Sequence, residues 1–298
     1  MEDITLRLAL EKYKEIYLAS RNYSPRTRIE YVNDIEDLIR FLEHLGLKEV
    51  KNIGLQQLEQ YLAELDHRGN VGPTRKRKVV SIRSFLWYLY HDRYIRINLA
   101  NSLISPFTED EAPRYLTKLE YKGLLETASY HARDFAIIQL LLQTGIKLSE
   151  LTGLTISDIE LPPVILPTIA STGLLRVFGG RSKRTRVIVL NPMACSALKK
   201  FLQERTGQSC MTLFINRFGV ALGPRGVEKI LKKYLSKAAI RNASVQSLRH
   251  TFAIHQIAKG RNPKIIQEIL GNKTSESIGI YVSLVKEAVD QGIHNHIL

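Results

Sequence analysis

Apolar side chains recur every three to four positions through most of this chain, and that spacing predicts helices. Four such runs fall in the first hundred residues. The first carries Leu6, Leu10, Tyr13 and Tyr17; the second follows a Ser24-Pro25 start with Tyr31, Ile35, Leu38 and Leu42. The third uses Leu58, Tyr61, Leu62 and Leu65, and the fourth, after Gly72-Pro73-Thr74, runs through Val79, Ile82, Phe85, Leu86 and Leu89. Together they predict a compact helical bundle. The segment ISPFTEDEAPRY (104–115) breaks the pattern with two prolines and an acidic cluster. It reads as a linker over 107–114, dividing a domain at 1–106 from one at 115–298.

The second part begins with Thr117 and, three residues on, Glu120, the spacing of a helix-capping box. LLRVFGG and RSKRTRVIVL then alternate in the manner of two strands joined by a basic, glycine-containing turn. Helical spacing resumes over Met193–Glu204 and Val227–Ala239, again from Leu248, and between Asn262-Pro263 and Leu270-Gly271. The closing YVSLVKEAVDQGI sets Leu284, Val285, Ala288, Val289 and Ile293 at helical intervals. The expected fold class is therefore mainly α with a small antiparallel β-sheet.

Composition narrows the function. The 298 residues are 44% hydrophobic, ordinary for a chain that buries real cores. The start lacks signal-peptide regions, and the longest apolar stretch, FAIIQLLLQTG, is too short to cross a bilayer. The expectation is a cytoplasmic protein with no membrane partner. Cys195 and Cys210 have no Cys-x-x-Cys spacing, which gives neither a disulfide framework nor a structural zinc site. Charge is more informative. Residues 1–110 hold 17 Lys and Arg against 16 Asp and Glu, whereas residues 111–298 hold 26 against 13. So basic a second half points to a polyanion, with nucleic acid the leading candidate over a merely solvated surface. Candidate phosphate contacts are Arg75, Lys76, Arg77, Lys78 and Arg83 in the fourth helix, with Phe85, Trp87 and Tyr88 packing inward, and Arg181, Arg184 and Arg241 later in the chain.

The segment QSLRHTFAIHQ (246–256) sets an arginine and a histidine side by side in an apolar helix. Metal binding is disfavoured, because His250 and His255 are five residues apart and no acidic residue sits beside them at ligand spacing. Core packing suits Leu248, Phe252 and Ile254 but not Arg249, whose guanidinium needs an anion if buried. Gripping a phosphate accounts for it.

LRHTFA at 248–253, LG at 270–271 and IY at 280–281 resemble the closing signature of the tyrosine recombinases, the phage integrase and Xer-type enzymes that break and rejoin DNA. TGIKLSELTGLTISDI (144–159) resembles that family's TGLR-x-SEL segment, RVFGG and RTRVIVL its β-hairpin, and SPRTRIEY with IRSFLWYLY its helical core-binding domain. The resemblance implies that Tyr281 attacks a DNA phosphodiester, leaving a 3′-phosphotyrosyl link and a free 5′-hydroxyl, with no metal or cofactor. It also implies two domains that clasp double-stranded DNA and a tetramer on that DNA, held through the C-terminal segment.

Against the family pattern several site residues have changed. Arg249 matches the second arginine of the phosphate clamp, but Lys147 stands where the first is expected, keeping the charge and losing the bidentate fork. Gln246 replaces a histidine three residues before Arg249, and Asn272 replaces a His or Trp after LG; both are expected to act as neutral hydrogen-bond donors. His250 falls on a common but less directly catalytic family histidine. The hairpin lysine has no clean counterpart, and Lys183 is the best substitute for a general acid. Three functions are consistent with this set: a site-specific recombinase or integrase of a mobile element; a weakly active DNA-binding relative serving as accessory subunit to another recombinase; and a topoisomerase-like enzyme, disfavoured by the N-terminal domain.

Overall fold

The computed structural model describes residues 3–105, 112–165, 172–179, 184–206, 210–272 and 274–290. The chain divides into two compact units, Met1–Glu111 and Ala112–Leu298.

In the first unit, α1 (Leu6–Lys12) runs on through a π-helical turn at Tyr13–Leu18 and is followed by α2 (Pro25–His44), α3 (Leu55–His67) and α4 (Gly72–His91). These are the four helices that the apolar spacing predicts. Ser24 caps α2 by accepting from the Thr27 N–H at 2.9 Å, with Pro25 in the first turn. Tyr13, Tyr61, Phe85 and Tyr88 fill the core, whereas Trp87, expected inward, is 37% exposed and stacks on His91. The core also holds a charged seam. Asp34 on α2 is buried and meets Arg77, Lys78 and the Ser81 hydroxyl of α4; Lys78 also donates to Asp37 at 2.8 Å.

The second unit starts with α5 (Lys118–Ala128), where the Thr117 N–H donates to Glu120 at 2.9 Å and the Glu120 N–H to Thr117 Oγ1 at 3.2 Å, the capping box that the sequence predicts. Next come α6 (Ala132–Thr144), α7 (Leu148–Gly153) and a three-stranded antiparallel sheet in the order β1 (Ile159–Glu160), β2 (Gly173–Gly179), β3 (Arg184–Leu190). Leu175 faces Ile188 in register and Val177 faces Arg186. The two-residue strand β1 is too short to leave a periodic signal. After it come α8 (Pro192–Glu204), α9 (Pro224–Lys237), α10 (Val245–Ala258), α11 (Pro263–Leu270) and α12 (Glu276–Asp290).

Two of these helices end on glycines that need their conformational freedom. Gly145 ends α6 at φ +60° and Gly271 ends α11 at φ +64°, both in the left-handed region. A Cβ on Gly145 would lie 2.6 Å from the Phe252 ring and 2.7 Å from Leu270, so that turn is closed against α10 and α11 as well as curled. Among the described residues, no helix is long and apolar enough to cross a membrane.

Candidate functional site

Arg249 lies in the middle of α10 and is only 4% exposed. A buried guanidinium must find acceptors, and the two helix ends supply them. Nη1 donates to the Gly145 carbonyl at 2.6 Å, and Nη2 donates to the Leu270 carbonyl at 2.8 Å and to Asn272 Oδ1 at 2.7 Å. Helix C-termini carry partial negative charge, so they hold a cation well without neutralising it. Among the described residues all three of its hydrogen-bond partners are neutral oxygens, and burial holds the Arg249 pKa below its ordinary value. This is a rigid cation with charge left over for an anion.

Asn272 differs from expectation. Its Oδ1 accepts from Arg249 while its Nδ2 donates to Ser277 Oγ at 2.9 Å. The expected donor to phosphate is thus engaged within the protein, and the residue fixes the guanidinium instead.

Tyr281 on α12 is 3% exposed, and its hydroxyl meets His250 Nδ1 at 2.8 Å. Burial pushes the phenol's pKa up, and the Arg249 charge pulls it only part of the way back. Burial also holds the His250 imidazole below its usual value, with the Arg249 charge adding to the effect. Tyr281, His250 and Arg249 therefore share one neighbourhood, built from the middle of α10 and the first half of α12.

Lys147 is exposed and caps α7, its backbone N–H donating to Glu150 Oε2 at 2.8 Å. Lys147, Gln246, Arg241 and Arg249 all line one cavity of about 880 Å³, floored by Leu231, Leu235 and other apolar side chains. Gln246 is exposed in the first turn of α10. Lys183 and Arg181 lie outside the described residues, as does the side chain of Arg184.

Sequence reasoning missed Arg186. Its guanidinium grips Glu150 in a fork, Nη1 to Oε1 at 2.9 Å and Nη2 to Oε2 at 2.8 Å, while Nε donates to the Ile269 carbonyl. Burial would raise the Glu150 pKa, yet the hydrogen bonds from Arg186 and the Lys147 N–H outweigh it and hold the carboxyl below the usual range. One side chain thereby ties α7, β3 and the end of α11 together around Arg249. The available signal was alternation: residue 186 shares the inward face of β3 with Ile188 and Leu190, an odd place for an arginine.

The basic cluster on α4 is mostly engaged internally. Arg75 pairs with Asp66, Arg77 with Asp34 and Glu30, and the buried Lys78 with Asp34 and Asp37, while Arg83 donates to the Leu103 carbonyl. Lys78, a candidate DNA contact, is buried within this unit, whereas Arg83 is partly exposed. Lys76 is exposed.

The Phage integrase family profile matches residues 114–288, and the Phage integrase N-terminal SAM-like domain matches residues 10–93. The chain belongs to the phage integrase family. It is 31% identical to Tyrosine recombinase XerC of Pelotomaculum thermopropionicum, over 91% of this chain and 92% of that one. With Tyrosine recombinase XerC of Bacillus licheniformis it shares 27% identity over 96% and 95% of the two chains. Its fold is that of a lambda integrase dimer solved on a COC′ core site, with a TM-score of 0.75 at 18% identity, over 94% of this chain and 95% of that one. The Arg249 pocket, Tyr281 and His250 all fall within the integrase-family match.

Proposed function

We propose that this phage integrase-family chain is a site-specific DNA recombinase in which Tyr281 attacks a backbone phosphate, forming a 3′-phosphotyrosyl link and releasing a 5′-hydroxyl. The observation that carries the proposal is the buried Arg249 guanidinium, held by three neutral oxygens beside the Tyr281–His250 pair. Such a cation stabilises charge as it builds on the non-bridging oxygens, the largest contribution to phosphoryl-transfer catalysis. Lys147 and Gln246, at the rim of the same cavity, supply a second cation and a neutral donor to that phosphate. Lys183 is the proposed general acid for the leaving oxygen. Exposed Lys76, with Arg181, Arg184 and Arg241, contacts the DNA backbone, and protomers assemble on DNA through the C-terminal segment. No metal or cofactor takes part.

A second reading rests on Tyr281 being 3% exposed and on the clamp carrying Lys147 in place of an arginine. On that reading the chain binds DNA as an accessory subunit, cleaving weakly or not at all. Incubation with nicked half-site DNA separates the two. The recombinase reading expects a denaturation-resistant protein–DNA adduct that Tyr281→Phe abolishes; bound DNA with no adduct favours the accessory subunit.

A further inference from the structure

A phenol of ordinary acidity is ionised to about one part in a thousand at neutral pH, and burial makes Tyr281 a weaker acid still. Attack on phosphorus therefore requires a group that takes the phenolic proton. Gln246, one turn earlier on the same face of α10, has no basic atom. Lys147 is a cation, and Arg249 has no acceptor to offer. His250 Nδ1 lies 2.8 Å from the Tyr281 hydroxyl.

We infer that His250 is the general base of the strand-cleavage step, taking the Tyr281 proton on Nδ1. The inference rests on the recombinase reading above and assigns His250 a direct part in its chemistry. With its own proton on Nε2, the neutral imidazole accepts the phenol's hydrogen bond at Nδ1. As the Tyr281 oxygen bonds phosphorus, its O–H bond breaks and His250 becomes imidazolium. The P–O5′ bond breaks, the departing oxygen takes a proton from a general acid or from solvent, and His250 returns its proton to solvent. Rejoining runs the same steps in reverse. The groups surrounding His250 suit this role: Arg249 beside it on α10 disfavours a standing positive charge, and Tyr281 faces it from α12. Beyond Arg249, Glu150 on α7 and Arg186 on β3 largely cancel one another.

The test is the rate of adduct formation on half-site DNA between pH 5.5 and 9.5, for wild type and for His250→Gln, which keeps a hydrogen bond but cannot carry the proton. The wild-type rate should rise to a plateau above the imidazole's ionisation. His250→Gln should be about 100-fold slower at pH 7, within the range of general-base contributions, and should recover about tenfold per pH unit as the phenol ionises unaided. DNA affinity should hold. A substrate whose bridging 5′-oxygen is replaced by sulfur needs no proton on its leaving group, and the deficit should persist with it. A variant within threefold of wild type, a deficit equal at every pH, or a deficit that vanishes with the sulfur leaving group overturns the assignment. Should His250→Gln fail to fold, the wild-type profile decides alone: a rate still climbing log-linearly through pH 9 overturns it. Absence of any wild-type adduct on bound DNA would instead sink the recombinase reading itself.

Discussion

At the scale of single residues, function depends on where charge is left uncancelled. Arg249 keeps its charge because its acceptors are carbonyl and amide oxygens, whereas Arg186 gives up its own to Glu150. Arg249→Ala is expected to abolish adduct formation, at least about 100-fold down in rate, judging by losses of single oxyanion contacts. Lys147→Arg restores a planar fork at the cavity rim and should raise the cleavage rate roughly tenfold, measured as the single-turnover rate on half-site DNA. An unchanged rate would argue that residue 147 does not face the phosphate. Short motifs single out Arg249, His250, Lys147, Gln246, Asn272 and Tyr281 as candidates in the sequence, though not the part Asn272 plays in holding Arg249. Their partners were not legible, since Asn272's grip on Arg249 and Arg186's on Glu150 join residues 23 and 36 apart.

At the scale of elements, helix ends do more than the helices they terminate. Gly145 sits at φ +60° with α10 and α11 against it, and its carbonyl holds Arg249. Gly145→Ala adds both backbone strain and a clash, and should lower stability by about 2 kcal/mol or more while slowing cleavage, as read by denaturant melts and adduct assays. The α4 cluster separates into two kinds of lysine. Lys78→Ala leaves Asp34 buried beside fewer cations and should destabilise the first unit by roughly 3 kcal/mol. Lys76→Ala should leave stability unchanged and reduce the salt slope of DNA binding by about one. In sequence the two look alike. The acidic residues that distinguish them lie on α2, some forty positions away, and no periodicity announces that pairing. The helices and the long hairpin were legible because burial of one face imposes a period; the strand Ile159–Glu160 was not, because two residues hold none.

Across the whole molecule, charge and burial set the pH behaviour and the DNA affinity. His255 is buried, its Nε2 has no hydrogen-bond partner among the described residues, and burial pushes its pKa down to about 4. Between about pH 6.5 and 4 the unfolded chain binds a proton that the folded chain refuses, so stability should fall as pH drops through that window and level off below it. The effect is on the order of 3 kcal/mol, and His255→Leu should flatten it in pH-resolved thermal melts. Binding of duplex DNA should weaken steeply with salt, since residues 111–298 carry nearly all of the excess positive charge. The most direct measurement is the chemical identity of the protein–DNA bond. After reaction with half-site DNA, tryptic digestion and mass spectrometry should find the 3′-nucleotide on the peptide Thr274–Lys286, whose one tyrosine is Tyr281. A nucleotide attached to any other tyrosine, or none on DNA that the protein demonstrably holds, would contradict the account.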